Sequence, residues 1–251
     1  MLKSGYKEIM LLGQNVNSYG NNFNEKYSFS DLLKQIEKVE GIEIIRFMSP
    51  HPKDFSDELI ETIKKSKKIA RQIHLPLQSG SSKILKDMNR KYSKEDYLKI
   101  VKELKEADSD ISISTDIIVG FPGETKEDFE ETLDVVKRVK FDQIYMFIYS
   151  KRTGTKAATI EDNTTHEEKV RRLECLKEVF EKLLPDINEK MVGRVYKVLV
   201  EGKSKSNKEL YTGRTSQNKV VVFNAKETDV GKICDVEIIS QHLWYLKGNK
   251  K

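Results

Sequence analysis

The strongest constraint on this chain is a change of apolar period near Gly193. Before that point short apolar runs alternate with longer stretches whose apolar residues recur every three or four positions, and beyond it the period becomes two. Tyr6 to Leu12 reads as a strand ending at Gly13, and Phe29 to Val39 places Phe29, Leu32, Leu33, Ile36 and Val39 on one helical face. Ile42 to Phe47 is strand-like, Ser56 opens a helix carrying Leu59, Ile60 and Ile63, and Ile69 to Leu77 reads as a strand broken by Pro76. Ser93-Lys-Glu-Asp96 and Thr125-Lys-Glu-Asp128 are capping boxes. In each the hydroxyl accepts from the backbone three residues on and the acid reaches back, which fixes a helix start. Ile111 to Phe121 and Phe141 to Tyr149 complete five strands before residue 150. Strands alternating with amphipathic helices predict β-α-β crossovers and a parallel sheet, the α/β class.

Periodicity leaves open whether that sheet closes into a barrel or is doubly wound. In both architectures ligands bind at the carboxyl ends of the strands. Gly13-Gln14-Asn15, Ser49-Pro50-His51-Pro52, Pro76 to Gly80, Gly120 to Glu124 and Tyr149-Ser150 all fall there. A long helix opens at Thr165 and runs to about Met191, with Pro185 a point at which it kinks or ends. Beyond Gly193, Val195 to Val200, Leu210 to Thr212, Val220 to Phe223, Ile233 to Ile239 and Leu243 to Leu246 predict a small antiparallel β-barrel of the OB type. The expected division is 1–187 for the α/β part with its connector helix and 188–251 for the barrel.

Charge follows the same division. Residues 188–251 hold 13 Lys and Arg against 7 Asp and Glu, whereas residues 1–187 hold 32 against 33. A basic module beside a neutral one fits a polyanion partner, because Lys and Arg that neutralise phosphates supply most sequence-independent nucleic-acid affinity; a solvated basic surface is the alternative. No run approaches the roughly 18 apolar residues of a membrane span. Nothing at the start reads as a secretion signal, so no membrane partner and a cytoplasmic location are expected.

Cys175 and Cys234 are the only cysteines, and His51, His74, His166 and His242 are scattered, which excludes a disulfide framework and a local zinc motif. Both thiols read as core or boundary residues. No glycine-rich dinucleotide fingerprint or phosphate loop occurs. Gln78 offers an amide that donates and accepts, and Arg90 a planar fork suited to a carboxylate, as a small zwitterionic ligand requires; equally, Gln78 caps local backbone and Arg90 makes a surface pair. Asp116 lies within an apolar strand, where a carboxylate without a partner is costly. Gly120 and Gly123 would let backbone approach a flat ligand, and Glu124 serves there or as first-turn complementation of a helix dipole.

Six segments occur in the order found in radical S-adenosylmethionine methylthiotransferases: Gly13-Gln-Asn-Val-Asn-Ser-Tyr19, Ser49-Pro-His51-Pro, Leu75-Pro-Leu-Gln-Ser-Gly80-Ser, Met88-Asn-Arg90-Lys-Tyr92, Thr115 to Thr125 and Tyr149 to Thr155. The C-terminal Gly213-Arg-Thr-Ser-Gln-Asn-Lys-Val-Val-Val-Phe223 resembles the TRAM domain of their tRNA-modifying branch. The resemblance covers nearly the whole chain. It implies a partial radical-SAM, TIM-like parallel β/α barrel followed by the small β-barrel, and methylthiolation at C2 of N6-isopentenyladenosine beside the anticodon. It further implies S-adenosylmethionine held by Gln78, Arg90 and Asp116, with Gln14 and Ser49 as further contacts. The partner it implies is the anticodon arm of tRNA rather than DNA, and the barrel cations placed on that RNA are Arg194, Lys197, Arg214 and Lys219.

The family also holds [4Fe–4S] clusters on a Cys-x-x-x-Cys-x-x-Cys loop and on a preceding domain, and neither set of thiols is present here. The expectation is therefore a fragment, a truncated form or an internal start, inactive alone because cluster ligation needs thiolates it lacks. The competing readings are a stand-alone RNA-binding protein, the branch acting on threonylcarbamoyladenosine, and the branch acting on a ribosomal protein.

Overall fold

The computed structural model describes residues 5–251. Five parallel strands lie side by side in chain order: β1 (Glu8–Leu11), β2 (Ile44–Phe47), β3 (Gln72–His74), β4 (Ser112–Val119) and β5 (Gln143–Ile148). β2 and β3 are joined more loosely than the rest. Ile45 donates to the Lys68 carbonyl and accepts from the Ala70 amide just before β3 begins. The strand expected over Ile69 to Leu77 is thus three residues of ladder, since Pro76 has no amide to give and Gln78 turns into the left-handed region at φ 69°.

Intervening helices are α1 (Phe29–Glu37), α2 (Asp57–Lys65), α3 (Ser82–Asp87), α4 (Lys94–Ala107) and α5 (Lys126–Val139). Both capping boxes form: Ser93 and Thr125 accept from the amides of Asp96 and Asp128, whose carboxylates accept in return from the cap amides. Successive side chains of a strand face opposite sides. On β4, Ile113, Thr115, Ile117 and Val119 are fully buried, and its isoleucines and valine share one apolar cluster with Tyr97, Val101 and Leu104 of α4 and Phe129, Val135 and Val136 of α5. The alternate residues, Ser112, Ser114 and Asp116, are polar. A doubly wound sheet needs two apolar faces. This one has a single helix-covered face and a polar face, the arrangement of an open segment of a β/α barrel whose β1 and β5 edges do not meet.

Helix α6 (His166–Glu189) passes through Pro185 without ending. Its Leu176, Phe180 and Leu184 join the α/β core. Strands β6 (Val195–Lys203), β7 (Tyr211–Thr215), β8 (Val220–Phe223), β9 (Ile233–Gln241) and β10 (Leu246–Lys250) close a barrel in the order β10-β8-β7-β6-β9 around Val198, Val200, Val221, Phe223, Val236 and Ile238. The expectation of a wholly antiparallel barrel is corrected: β10 pairs with β8 in parallel. The reason is parity. Five strands in a closed ring cannot all alternate in direction, so one neighbouring pair must run the same way. The last strand also starts at Leu246, where the sequence reading placed its end.

Candidate functional site

The polar face of the sheet opens at the carboxyl ends of β3, β4 and β5 into a cavity of about 870 Å³. Gln78, Arg90 and Asp116 all line it, with Phe121, Phe147 and Tyr149. Gln78 is brought there by its own backbone, which donates to the Asp116 carbonyl at 2.8 Å and accepts from the Ile118 amide at 2.9 Å. Behind this loop Gly80 packs against α5. A Cβ on it would lie 2.5 Å from Thr132 Cα, so only glycine permits that approach. Ser81 donates to Asp128 at 2.7 Å and Lys83 donates to the same carboxylate at 2.8 Å, which ties the loop to the first turn of α5.

Arg90 follows α3, and its Nε is buried with no hydrogen-bond partner among the described residues. The Tyr149 hydroxyl is in the same condition. Buried polar groups are almost always paired, and an orphan costs roughly 1–3 kcal/mol. Both residues line the same cavity. The guanidinium also acts on its surroundings. Burial is the main cause of the low pKa of His51, and Arg90 lowers it further. Burial pushes the Tyr92 hydroxyl up to about 12 while Arg90 opposes that rise. Tyr92 donates to the carbonyls of Pro76 and Leu77 at 3.1 and 3.2 Å, which holds the loop from the other side.

Asp116 finds the partner its position demands in His74, whose Nε2 lies 3.4 Å from the carboxylate and whose Nδ1 lies 3.0 Å from Ser114 Oγ. The Tyr145 ring meets the imidazole edge-on at 5.8 Å. Sequence reasoning placed Tyr149 at the ligand-binding strand ends but gave neither it nor His74 a role of its own. Alternation along β3 and β4 was the available signal for His74, since it puts Gln72, His74, Ser114 and Asp116 on one face. Gln14 is exposed and Ser49 half-buried, both beyond the carboxyl ends of β1 and β2, and neither lines the cavity. Gly120 offers no open approach for a ligand, because the space a Cβ would take is filled by the Lys169 side chain at 2.5 Å. Glu124 is buried, accepting from Gly120 N and Arg172 Nη1, both at 2.7 Å; burial is the main influence and raises its pKa.

At the opposite end of the sheet the β7–β8 turn docks onto the α/β part. Arg46, 2% exposed, donates to Glu8 at 2.9 Å and to the carbonyls of Thr215 and Ser216 at 2.9 and 3.1 Å. Ser216 Oγ accepts from the Arg71 amide and Ser112 Oγ donates to the Gln217 carbonyl, both at 2.8 Å. Two of the four barrel cations belong to this seam: Lys219 pairs with Asp142 at 2.9 Å and Arg194 Nη1 with Asp110 at 2.9 Å. Arg214 pairs with Glu201 at 2.9 Å within the barrel. Lys197 is exposed on β6 and makes no ion pair among the described residues.

A family model described as the radical SAM superfamily matches residues 1–136, and one for the TRAM domain matches residues 189–251. The chain belongs to the radical SAM superfamily. Radical SAM proteins work with S-adenosylmethionine and a [4Fe–4S] cluster. The similar proteins include the tRNA-2-methylthio-N(6)-dimethylallyladenosine synthases of Acetivibrio thermocellus, 50% identical over 98% of this chain and 52% of that protein, and of Clostridium tetani, 50% identical over 100% and 55%. The protein of the same name from Fusobacterium nucleatum is 52% identical over 98% of this chain and 57% of its own length. The chain thus spans about half the length of the curated relatives it matches.

The two radical SAM cofactors fare differently against the residues present. The cavity with its two orphaned donors fits S-adenosylmethionine, a zwitterion with a ribose. The cluster does not fit. Cys175 lies on α6 and Cys234 on β9, neither lines the cavity, and no group of metal-ligating side chains occurs among the described residues. No helix among those residues is long and apolar enough to cross a membrane.

Proposed function

We propose that this chain is the S-adenosylmethionine-binding and RNA-holding part of an enzyme that adds a methylthio group at C2 of N6-dimethylallyladenosine, beside the anticodon of tRNA. The observation that carries the reading is the cavity in which Arg90 Nε and the Tyr149 hydroxyl are buried and unpaired beside Gln78 and Asp116. Arg90 takes the methionyl carboxylate, for which its fork is shaped, and Asp116, oriented by His74, accepts from the ribose hydroxyls. Gln78 holds the amino-acid end through its amide, and Tyr149 donates to a ligand oxygen. Gln14 and Ser49, which lie outside this cavity, are assigned no contact with the ligand. Bound there, S-adenosylmethionine supplies an activated carbon–sulfur bond; the protein supplies orientation and exclusion of water.

The tRNA reading is supported by the TRAM match and by the names of the relatives. Lys197, Arg214 and Arg194 present cations on or beside the barrel surface, whereas Lys219 supports the same surface from within the seam. Equilibrium dialysis with labelled S-adenosylmethionine tests the cofactor assignment. Saturable binding that is lost in Arg90→Ala and in Asp116→Asn is expected, and absence of binding by the unaltered chain overturns it.

A further inference from the structure

Between the length of α4, the end of α5 and the end of α6 lies a second cavity of about 710 Å³, bounded on its far side by the barrel residues Arg194, Tyr196 and Gln217. It lies at the amino ends of β4 and β5, where Ile111, Ser112 and Asp142 form its floor. Its charge is unbalanced. Of its three acids, Asp110 and Asp142 are taken up by Arg194 and Lys219, and Glu95 accepts from Ser82 Oγ at 3.2 Å. Lys105, Lys140 and Lys190 line the same space with no acidic partner among the described residues. Lys105 is half-buried, and burial lowers its pKa, with Asp142 opposing and Lys190 and Lys219 lowering it further. One carbonyl acceptor completes the set: Gln217 is 9% exposed and its Oε1 is buried without a donor.

Three unneutralised ammonium groups around one orphaned acceptor suit a ligand that carries anionic oxygens and a hydroxyl donor together. A ribose phosphate has both, and the 2′-hydroxyl is the group that separates RNA from DNA at such a position. We infer that this seam cleft binds a ribose-phosphate segment of the RNA substrate, with Lys105, Lys140 and Lys190 on phosphates and Gln217 on a 2′-hydroxyl. The inference rests on the RNA reading above and locates the grip on both parts of the chain rather than on the barrel surface alone. Ser112 in the cleft and Asp116 at the cofactor cavity are four residues apart on β4, roughly 13 Å at the usual strand rise. An RNA stem-loop is large enough to span the two.

The test is fluorescence anisotropy of a labelled tRNA anticodon stem-loop with the full chain across a salt series. Lys140→Gln with Lys190→Gln alters two exposed side chains, so folding is preserved and is checked by thermal melting. At moderate salt this pair should weaken binding about tenfold and lower the salt slope by between one and two units, as loss of two phosphate contacts requires. Lys140→Arg with Lys190→Arg should restore both. Gln217→Leu should reduce the preference for the RNA stem-loop over the same sequence in DNA. Stem-loop binding that is unchanged by the Gln pair overturns the cleft and leaves the RNA reading standing. No stem-loop binding by the unaltered chain overturns both. Adenosine monophosphate that displaces the stem-loop at concentrations comparable to the stem-loop's own Kd overturns RNA as the occupant and makes the cleft a mononucleotide site.

Discussion

His74 stands between Asp116 and Ser114, with Nε2 3.4 Å from the carboxylate of one and Nδ1 3.0 Å from the hydroxyl of the other. The imidazole thus sits beside the carboxylate of a residue that lines the cavity. His74→Ala is expected to leave the sheet folded and to reduce S-adenosylmethionine affinity about tenfold, in line with loss of a polar neighbour that positions the carboxylate. His74→Gln, which keeps a donor, should recover part of it. Isothermal titration of the three proteins checks this.

Tyr149 gives a test that separates a binding role from a structural one. Its hydroxyl is buried and unpaired, so Tyr149→Phe removes a group that costs the free protein energy. The variant should be as stable as the parent or more so, by up to about 1 kcal/mol in chemical denaturation. Its affinity for S-adenosylmethionine should nevertheless fall several-fold. A loss of stability instead would mean the hydroxyl has a partner in the folded protein.

Arg46 is the bolt of the seam. It joins Glu8 of β1 to two carbonyls of the β7–β8 turn while almost wholly buried. Arg46→Ala leaves those acceptors and a carboxylate unsatisfied and should cost about 3 kcal/mol. Limited proteolysis should then cut near residues 215–219, a turn protected in the parent.

Asp128 ties the cofactor loop to α5, and its protonation should loosen that tie. Burial raises its pKa, but hydrogen bonds from Lys83, Ser81 and Thr125 prevail and hold it at about 2. A carboxyl whose folded pKa lies below its unfolded value contributes stability above the unfolded value, and that contribution is lost as pH falls through the folded one. The contribution is about 2 kcal/mol and should disappear between about pH 4 and pH 2. Asp128→Asn should flatten this part of the stability–pH profile.

Reconstitution with iron and sulfide should yield no cluster absorbance near ~400 nm and no deoxyadenosine, because Cys175 and Cys234 lie apart on α6 and β9 and cluster ligation needs adjacent thiolates. Formation of both would overturn the statement that the cluster does not fit this chain.

Local chemistry in the sequence determined a good deal. Ser93 and Thr125 marked the starts of α4 and α5, because a capping box is complete within four residues, and the change of period near Gly193 separated a parallel α/β part from a small barrel. Gln78, Arg90 and Asp116 were identifiable as a set only through the order of several segments, since each residue type alone has a commoner structural use. What the tertiary structure decided was pairing across long separations. The orphaned Arg90 Nε and Tyr149 hydroxyl, the His74 partner of Asp116, the pairing of Lys219 with Asp142 and the lysines of the seam cleft all depend on chain segments far apart in sequence. A residue's type fixes what it can bond, but its partner is set by packing. Net charge counted along the chain therefore could not tell which lysines remain without an acid.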